Sequence, residues 1–135
     1  MSLSINTKDL HHFLADIIAK WPTYGPVEDK TSLNSRFRFT KLSSAKEYAM
    51  FYGPTVVPPK KYLFPAREDI FRFERGEILP PTNKEFVVFG VNKKDGEGLF
   101  YLDQIFAGPV PENHYANKRA NMRLVIALFY LFLNI

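Results

Sequence analysis

Residues 85–91 read Glu-Phe-Val-Val-Phe-Gly-Val, and this stretch decides the fold. A near-continuous apolar run of this length, rich in β-branched and aromatic residues, predicts a strand buried on both faces. Arg123–Leu128 (RLVIAL) predicts a second buried strand. Between them, Asn92–Gly98 (NKKDGEG) reads as a loop. Leu99, Leu102, Ile105 and Phe106 then mark a short helix, and Glu112–Asn121 a second one. Two apolar strands separated by helices predict a parallel crossover, a strand-helix-helix-strand unit at the C-terminal side of the chain.

Upstream the pattern is more mixed. Leu10, Phe13, Leu14, Ile17, Ile18 and Trp21 share one helical face, so an amphipathic helix is expected, capped by Thr7 with Asp9 in its first turn and stopped by Pro22. Thr23–Lys30 reads as a short extended piece and a turn. Arg36–Leu42 (RFRFTKL) alternates and reads as a half-buried strand with Phe37 and Phe39 on one face. Ser44–Tyr52 suggests a helical turn, Gly53–Pro59 a loop, Glu68–Phe73 a helical turn or strand, and Gly76–Asn83 a turn-rich connection. No repeat, low-complexity tract or domain boundary is visible. The expectation is an α/β (or α+β) fold, with residues 1–135 forming a single compact domain around a mixed sheet.

The composition suits that expectation. The chain has 135 residues, 46% hydrophobic and 24% charged, which is globular rather than disordered. Aromatics reach 16%, with thirteen Phe, so large rings fill the core. The absence of Cys excludes a disulfide framework and any thiolate-bound metal. The formal net charge is +4, but charges of both signs are mixed and no long like-charged block occurs, so no nucleic-acid partner is expected. Residues 1–9 lack the pattern of a signal peptide. The apolar run Leu124–Ile135 is too short to span a bilayer, so no membrane association is expected and a cytoplasmic location is the default. The apolar tail Phe129–Ile135 is a candidate strand extension or homo-oligomer contact.

Catalytic signals are weak. His11 and His12 are helix neighbours pointing about 100° apart, which suits no shared metal, and His114 stands alone. No nucleophile elbow, phosphate loop or zinc-protease helix motif is present. The carboxylates Glu68, Asp69, Asp95 and Glu97 read as solvated charge. No catalytic residue and no metal ligand is assigned. Two segments stand out as a candidate site for an anionic ligand or nucleotide. One is the stretch Asn92, Lys93, Lys94 and Asp95, where a buried strand ends and a helix follows. The other is Pro58–Phe73 (PPKKYLFPAREDIFRF), which interleaves Lys60, Lys61 and Arg67 with Tyr62, Phe64, Phe71 and Phe73. The plainer reading of both is a solvated turn and a segment that packs its rings.

That second segment also carries a resemblance. PPKKYLFPAREDIFRF, then EFVVFGVNKKDGEGLFYLDQIF, then HYANKRANMRLVIAL resemble, in the same order, stretches of the iron–sulfur electron-transfer subunits of sulfhydrogenases and anaerobic sulfite reductases. Gly90, Val91, Asp95, Leu102, Asp103 and Phe106 fit the second stretch; Tyr115, Lys118, Arg119 and Asn121 fit the third. The opening helix and Tyr24-Gly25-Pro26-Val27 resemble the family's start. The resemblance implies an N-terminal domain of a larger redox subunit, with other subunits of a redox complex as partners. It also shows a departure. Where the family has a Pro-Cys-Asp step, this chain has Lys93-Lys94-Asp95, so Lys94 stands at the cysteine's place, and the family's ferredoxin-like cysteine region has no counterpart here. Four-iron clusters need Cys thiolates and are expected only in full-length, cysteine-containing relatives, with no cofactor on this chain. The reading is a non-catalytic structural or docking domain; the alternative is a small-molecule or nucleotide binding domain.

Overall fold

The computed structural model describes residues 5–31, 36–81 and 84–126, with backbone alone for 124–126. Helix α1 (Thr7–Lys20) carries the expected apolar stripe, with Leu14 and Ile17 buried. Leu10, Ile18 and Trp21 pack beside them, while Phe13 stays 48% exposed. The cap is Asn6 rather than Thr7. Its side chain accepts from the Asp9 N–H at 2.8 Å, satisfying one of the helix's orphan donors.

Thr23–Lys30 is more than a short extended piece. Thr23–Asp29 forms strand β1, and Arg36–Lys41 forms β2, antiparallel to it with Pro26 opposite Phe39. Strand β5 (Phe86–Val91) runs parallel to β1, in register at Thr23–Val87 and Tyr24–Val88. Strand β6 (Met122–Ile126) runs parallel to β5 on its other side. The sheet order is β2-β1-β5-β6, a mixed sheet with the expected parallel crossover. The rest of Arg123–Leu128 and the tail Phe129–Ile135 lie outside the described residues. Strands β3 (Arg72–Glu74) and β4 (Glu77–Leu79) form a separate two-stranded hairpin. Gly76–Asn83 therefore contains half of a hairpin rather than only turns. Arg75 and Gly76 both have positive φ (52° and 80°), as a two-residue type I′ turn requires.

Between β5 and β6 the structure departs from the sequence reading. Asn92–Gly98 is not a loop: helix α2 spans Lys93–Phe106, so the glycine-containing stretch supplies its opening turns. Asn92 is the cap, accepting from the Asp95 N–H at 2.8 Å and donating to the Asp95 carboxylate at 2.9 Å. This reciprocal cap outweighs the poor helix propensity of Gly96 and Gly98. Helix α3 (Asn113–Asn121) follows, capped by Glu112, whose carboxylate accepts from Tyr115 N–H at 2.7 Å.

The sheet buries both faces. On one side Leu14, Ile17, Leu42, Tyr48, Val87 and Phe89 form a core under α1. On the other, Phe39, Leu63, Val88, Leu99, Tyr115 and Met122 form a second core with α2, α3 and the 3₁₀ turn Pro59–Tyr62. Side chains of β5 alternate between the two, as a pleated strand must. At Gly90 the alternation breaks. A register shift between Phe89 and Val91 sends Val91 to the α2–α3 side with Val88. Gly90 takes φ 77°, and a Cβ there would lie 2.6 Å from the Tyr48 ring.

Two glycines thus make opposite demands. Gly90→Ala is expected to destabilise the domain by about 1–3 kcal/mol through positive φ and overpacking. Gly98 is helical and exposed, and nothing lies within 4 Å of an added Cβ. Gly98→Ala is expected to stabilise by about 0.5–1 kcal/mol. Urea denaturation of both variants measures the two signs.

Candidate functional site

In a sheet with this order, the carboxyl ends of β1 and β5 mark the switch point. The chain leaves β1 towards β2 on one side and leaves β5 towards β6 on the other, and α/β sheets place ligands in such a crevice. Here the chain fills it. Beyond Tyr24, the Pro26 carbonyl accepts from Ala49 N–H at 2.8 Å, laying residues 45–52 along the gap. Tyr52 donates its hydroxyl to the Gly90 carbonyl at 2.6 Å and accepts from the Asn92 N–H at 3.0 Å. Tyr48 stacks edge-on against Phe89, with ring centroids 5.2 Å apart, and packs over Gly90. Its own Oη is buried without a hydrogen-bond partner.

The candidate residues gather around this plug in part. The turn carrying Lys60 and Lys61 lies against the start of α2. Lys60 acts electrostatically on Asp95, whose carboxyl burial nevertheless pushes up from the usual range. Lys61 donates to the Phe39 carbonyl at 2.6 Å and sits 5.0 Å from the Tyr62 ring centroid. Burial holds its ammonium below the usual lysine range. Since β2 is a sheet edge and the neighbouring Phe37 carbonyl takes the Val56 N–H at 2.9 Å, Lys61 closes the remaining stretch of that edge against stray pairing. Asn92 and Asp95 are engaged in capping. Lys93 faces Glu97 at 3.8 Å in an exposed pair, and Lys94 is exposed. Arg67 is exposed on the segment leading to the hairpin. The structure therefore brings Lys60, Asn92 and Asp95 together around one helix start, while Lys61 turns to the β2 edge. That start already holds its own carboxylate.

Sequence reasoning missed the plug, because nothing in Tyr48 or Tyr52 signals a partner some forty residues away. Residues that carry the resemblance form a second cluster, and the structure gives them a job. Tyr115 donates its hydroxyl to Asp103 at 2.8 Å, and the Arg119 Nε reaches both Asp103 oxygens at 3.0 Å. This bracket ties α2 to α3, with the Tyr115 ring stacked 4.6 Å from Phe106. Lys118 makes an ion pair with Glu68 and anchors the hairpin segment to α3. At the opposite sheet end, Glu85 accepts from the Trp21 Nε1 at 3.2 Å and pairs with Arg123 at 3.3 Å, and Arg123 lies 4.8 Å from the Trp21 ring.

Among the described residues no three His, Asp or Glu side chains converge as a metal-ligand set. No helix among them is long and apolar enough to cross a membrane. Two depressions of about 340 and 270 Å³ among the described residues are open surface features beside β1 and α1, away from the plug.

This geometry defines a mixed-sheet α/β domain whose switch-point crevice is closed by its own tyrosines. The chain is 32% identical over 103 residues to the beta subunit of sulfhydrogenase 2 from Pyrococcus furiosus, a match covering 76% of this chain and 30% of that protein. The chain is thus related to a hydrogenase subunit and spans about a third of its length. No family model and no solved structure matches it significantly.

The two plug tyrosines differ in a measurable way. Tyr52→Phe removes two hydrogen bonds at the bulge and is expected to cost about 1–3 kcal/mol. Tyr48→Phe removes a buried hydroxyl with no partner, so it is expected to be neutral or stabilising by up to about 1 kcal/mol. Thermal and urea unfolding of both variants checks the pair.

Alkali provides a second test. Burial pushes the Tyr52 hydroxyl up from 10.0 to about 12, and burial likewise raises Tyr48, Tyr62 and Tyr115. These side chains keep their protons in the folded chain where the unfolded chain has lost them. Stability is therefore fully present below about pH 10 and falls as pH rises towards 12, by up to about 1.4 kcal/mol per pH unit for each tyrosine. Unfolding curves from pH 8 to 12 measure the slope, which Tyr52→Phe is expected to reduce.

Proposed function

We propose that this chain is a docking or scaffolding domain for a redox complex of the hydrogenase kind, related to an iron–sulfur electron-transfer subunit but carrying no cluster of its own. The observation behind the proposal is the 103-residue similarity to a sulfhydrogenase beta subunit. Three features support it. The chain has no Cys to ligate iron. The switch-point crevice is occupied by Tyr48 and Tyr52. Large apolar side chains such as Phe51, Phe73, Tyr101 and Val110 stand more than 60% exposed, which suits a surface made for other proteins.

The anionic-ligand reading has one observation in its favour, Lys60 standing beside the first turn of α2. Against it, the Asp95 carboxylate occupies that turn. Thermal shifts with inorganic phosphate and nucleotides separate the readings, because a ligand that binds the native state must raise its melting temperature.

The proposal makes two expected outcomes concrete. Purified chain treated with iron and sulfide stays without a stable absorbance band near about 400 nm; such a band rejects the cluster-free reading. Tagged chain expressed in its own host co-purifies with identified oxidoreductase subunits. A specific partner set containing none of them rejects the docking reading.

A further inference from the structure

Between β2 and the 3₁₀ turn Pro59–Tyr62 the chain crosses the switch point over residues 43–58, and of these only Tyr48 is buried. The segment is tied to the sheet by the Ala49 N–H, which donates to the Pro26 carbonyl at 2.8 Å, and by the two hydrogen bonds of the Tyr52 hydroxyl. Farther on, the Val56 N–H donates to the Phe37 carbonyl at 2.9 Å. Ala45 and Met50 pack half-buried at the margin of the α1 core, and Phe51 is 62% exposed. Residues 44–52 thus rest mainly on two aromatic rings, with little of their own chain inside the domain.

The closed arrangement carries a cost of its own. The Tyr48 hydroxyl is buried and has no hydrogen-bond partner. Water would supply one, so a move that exposes this group recovers its desolvation penalty. The main-chain groups beneath lose less, because water replaces the partner of each. What opposes opening is the burial of the two rings, Tyr48 against Phe89 at 5.2 Å and Tyr52 against Phe39 at 5.8 Å. Both ends suit a swing. Ser43 and Ser44 are exposed, and Ser44 makes no side-chain cap to the 3₁₀ turn Ala45–Glu47 that follows. Gly53 is exposed at the other end, with nothing within 4 Å of an added Cβ. Beyond Gly53, the Val56 hydrogen bond and the fixed φ of Pro58 and Pro59 keep the chain on the body. A segment with few anchors between two free ends belongs to the low-stability end of a fold's local openings.

We propose that residues 44–52 are a strap that lifts off the switch point as one unit, while the sheet, α2 and α3 stay folded. Closed, the strap is the crevice's own occupant, and this is the dominant state. Open, it releases the Pro26 and Gly90 carbonyls and the Asn92 N–H, main-chain groups at the carboxyl ends of β1 and β5, around the bare Cα of Gly90. The second core keeps Leu63, Val88, Leu99 and Met122 in place throughout. A molecule that uses the crevice binds only the open form, so its apparent affinity falls in proportion to the open fraction. The strap is therefore an autoinhibitory contact, and it stands whether or not the outer surface docks a redox partner.

Amide hydrogen exchange of the full chain, resolved by residue and repeated at low urea concentrations, tests the strap. Ala49 and Asn92 report on its two attachments. The Val87 amide, which donates to the Pro22 carbonyl at 2.9 Å beneath the strap, reports on the sheet. Ala49 and Asn92 should share one protection factor, roughly a hundredfold or more below that of Val87. Urea should hardly change it, because so little surface is exposed. Tyr52→Phe should speed Ala49 exchange roughly tenfold, although the Ala49 hydrogen bond itself is untouched. Tyr48→Phe should slow both strap amides, by up to roughly fivefold, because the closed state then hides no orphan hydroxyl. Strap amides that follow Val87 in both rate and urea dependence open only with the whole domain, and that result overturns the proposal. So do Ala49 and Asn92 amides that respond separately to the two variants, or a Tyr48→Phe chain in which both exchange as fast as before or faster.

Discussion

The Gly90 bulge is the constraint on which the rest of the domain depends. Strand β5 sits between the two cores, and its pleat would carry Val91 to the α1 side if the alternation continued. The bulge inserts one residue, reverses the parity and delivers Val91 to the α2–α3 core. It also sets the direction in which Asn92 leaves the strand, and hence where α2 starts. Two tyrosines hold it from the segment that crosses the switch point. Tyr52 does so by hydrogen bonds to the residues on either side of Val91, and Tyr48 by contact over the bare Cα. The hydrogen bonds fix orientation, while the contact admits only glycine at position 90. One strand irregularity thus determines the layout of the second core, the start of the crossover helix and the closure of the crevice.

The residues that carry the resemblance mostly serve this architecture. Gly90 and Val91 form the bulge; Asp95 completes the α2 cap; Leu102, Asp103 and Phe106 meet Tyr115 and Arg119 in the α2–α3 bracket. Lys118 anchors the hairpin segment. A buried or half-buried carboxylate that serves both a hydroxyl and a guanidinium cannot be replaced without stranding its partners. Such residues are held by the needs of packing whatever the domain does. The relationship to a hydrogenase subunit is therefore strongest evidence about shape, and the activity of a relative of which the match covers only 30% does not follow from it.

How legible this was in the sequence varies with the range of the interaction. Strand β5 and the α1 stripe were readable because hydrophobic periodicity is local. The parallel crossover was readable because two apolar strands flanked helical patterns. Strand β1 is hard to read because Gly25 and Pro26 look like punctuation. In the fold both are buried: Gly25 lets Leu42 approach within 3.0 Å of its Cβ position, and Pro26 donates nothing to a ladder. The start of α2 reads as a loop because two glycines outweigh a cap whose signal is a single Asn three residues before an Asp. The hairpin had a readable mark, Arg75-Gly76 between alternating residues, hidden by the surrounding prolines. At the candidate site, Lys60 and Asp95 lie thirty-five positions apart, so no spacing rule brings them together. The plug has no local signature at all.

Position 94 shows how a residue at which this chain departs from the resemblance can change without disturbing the fold. The resemblance puts a cysteine there, one residue into α2. A thiol at a helix N-terminus gains from the dipole as thiolate, so the position suits a ligand. It is also exposed and belongs to neither core. Exchanging its side chain therefore leaves the Asn92–Asp95 cap, the bulge and the bracket untouched. Lysine is electrostatically the less favourable residue in that first turn, yet it costs only a few tenths of a kcal/mol to about 1 kcal/mol at an exposed site. A side chain on the surface of a helix start is thus one that a chain can exchange while its fold persists. What the fold cannot abandon is Gly90, whose conformation and missing side chain are both demanded by buried neighbours.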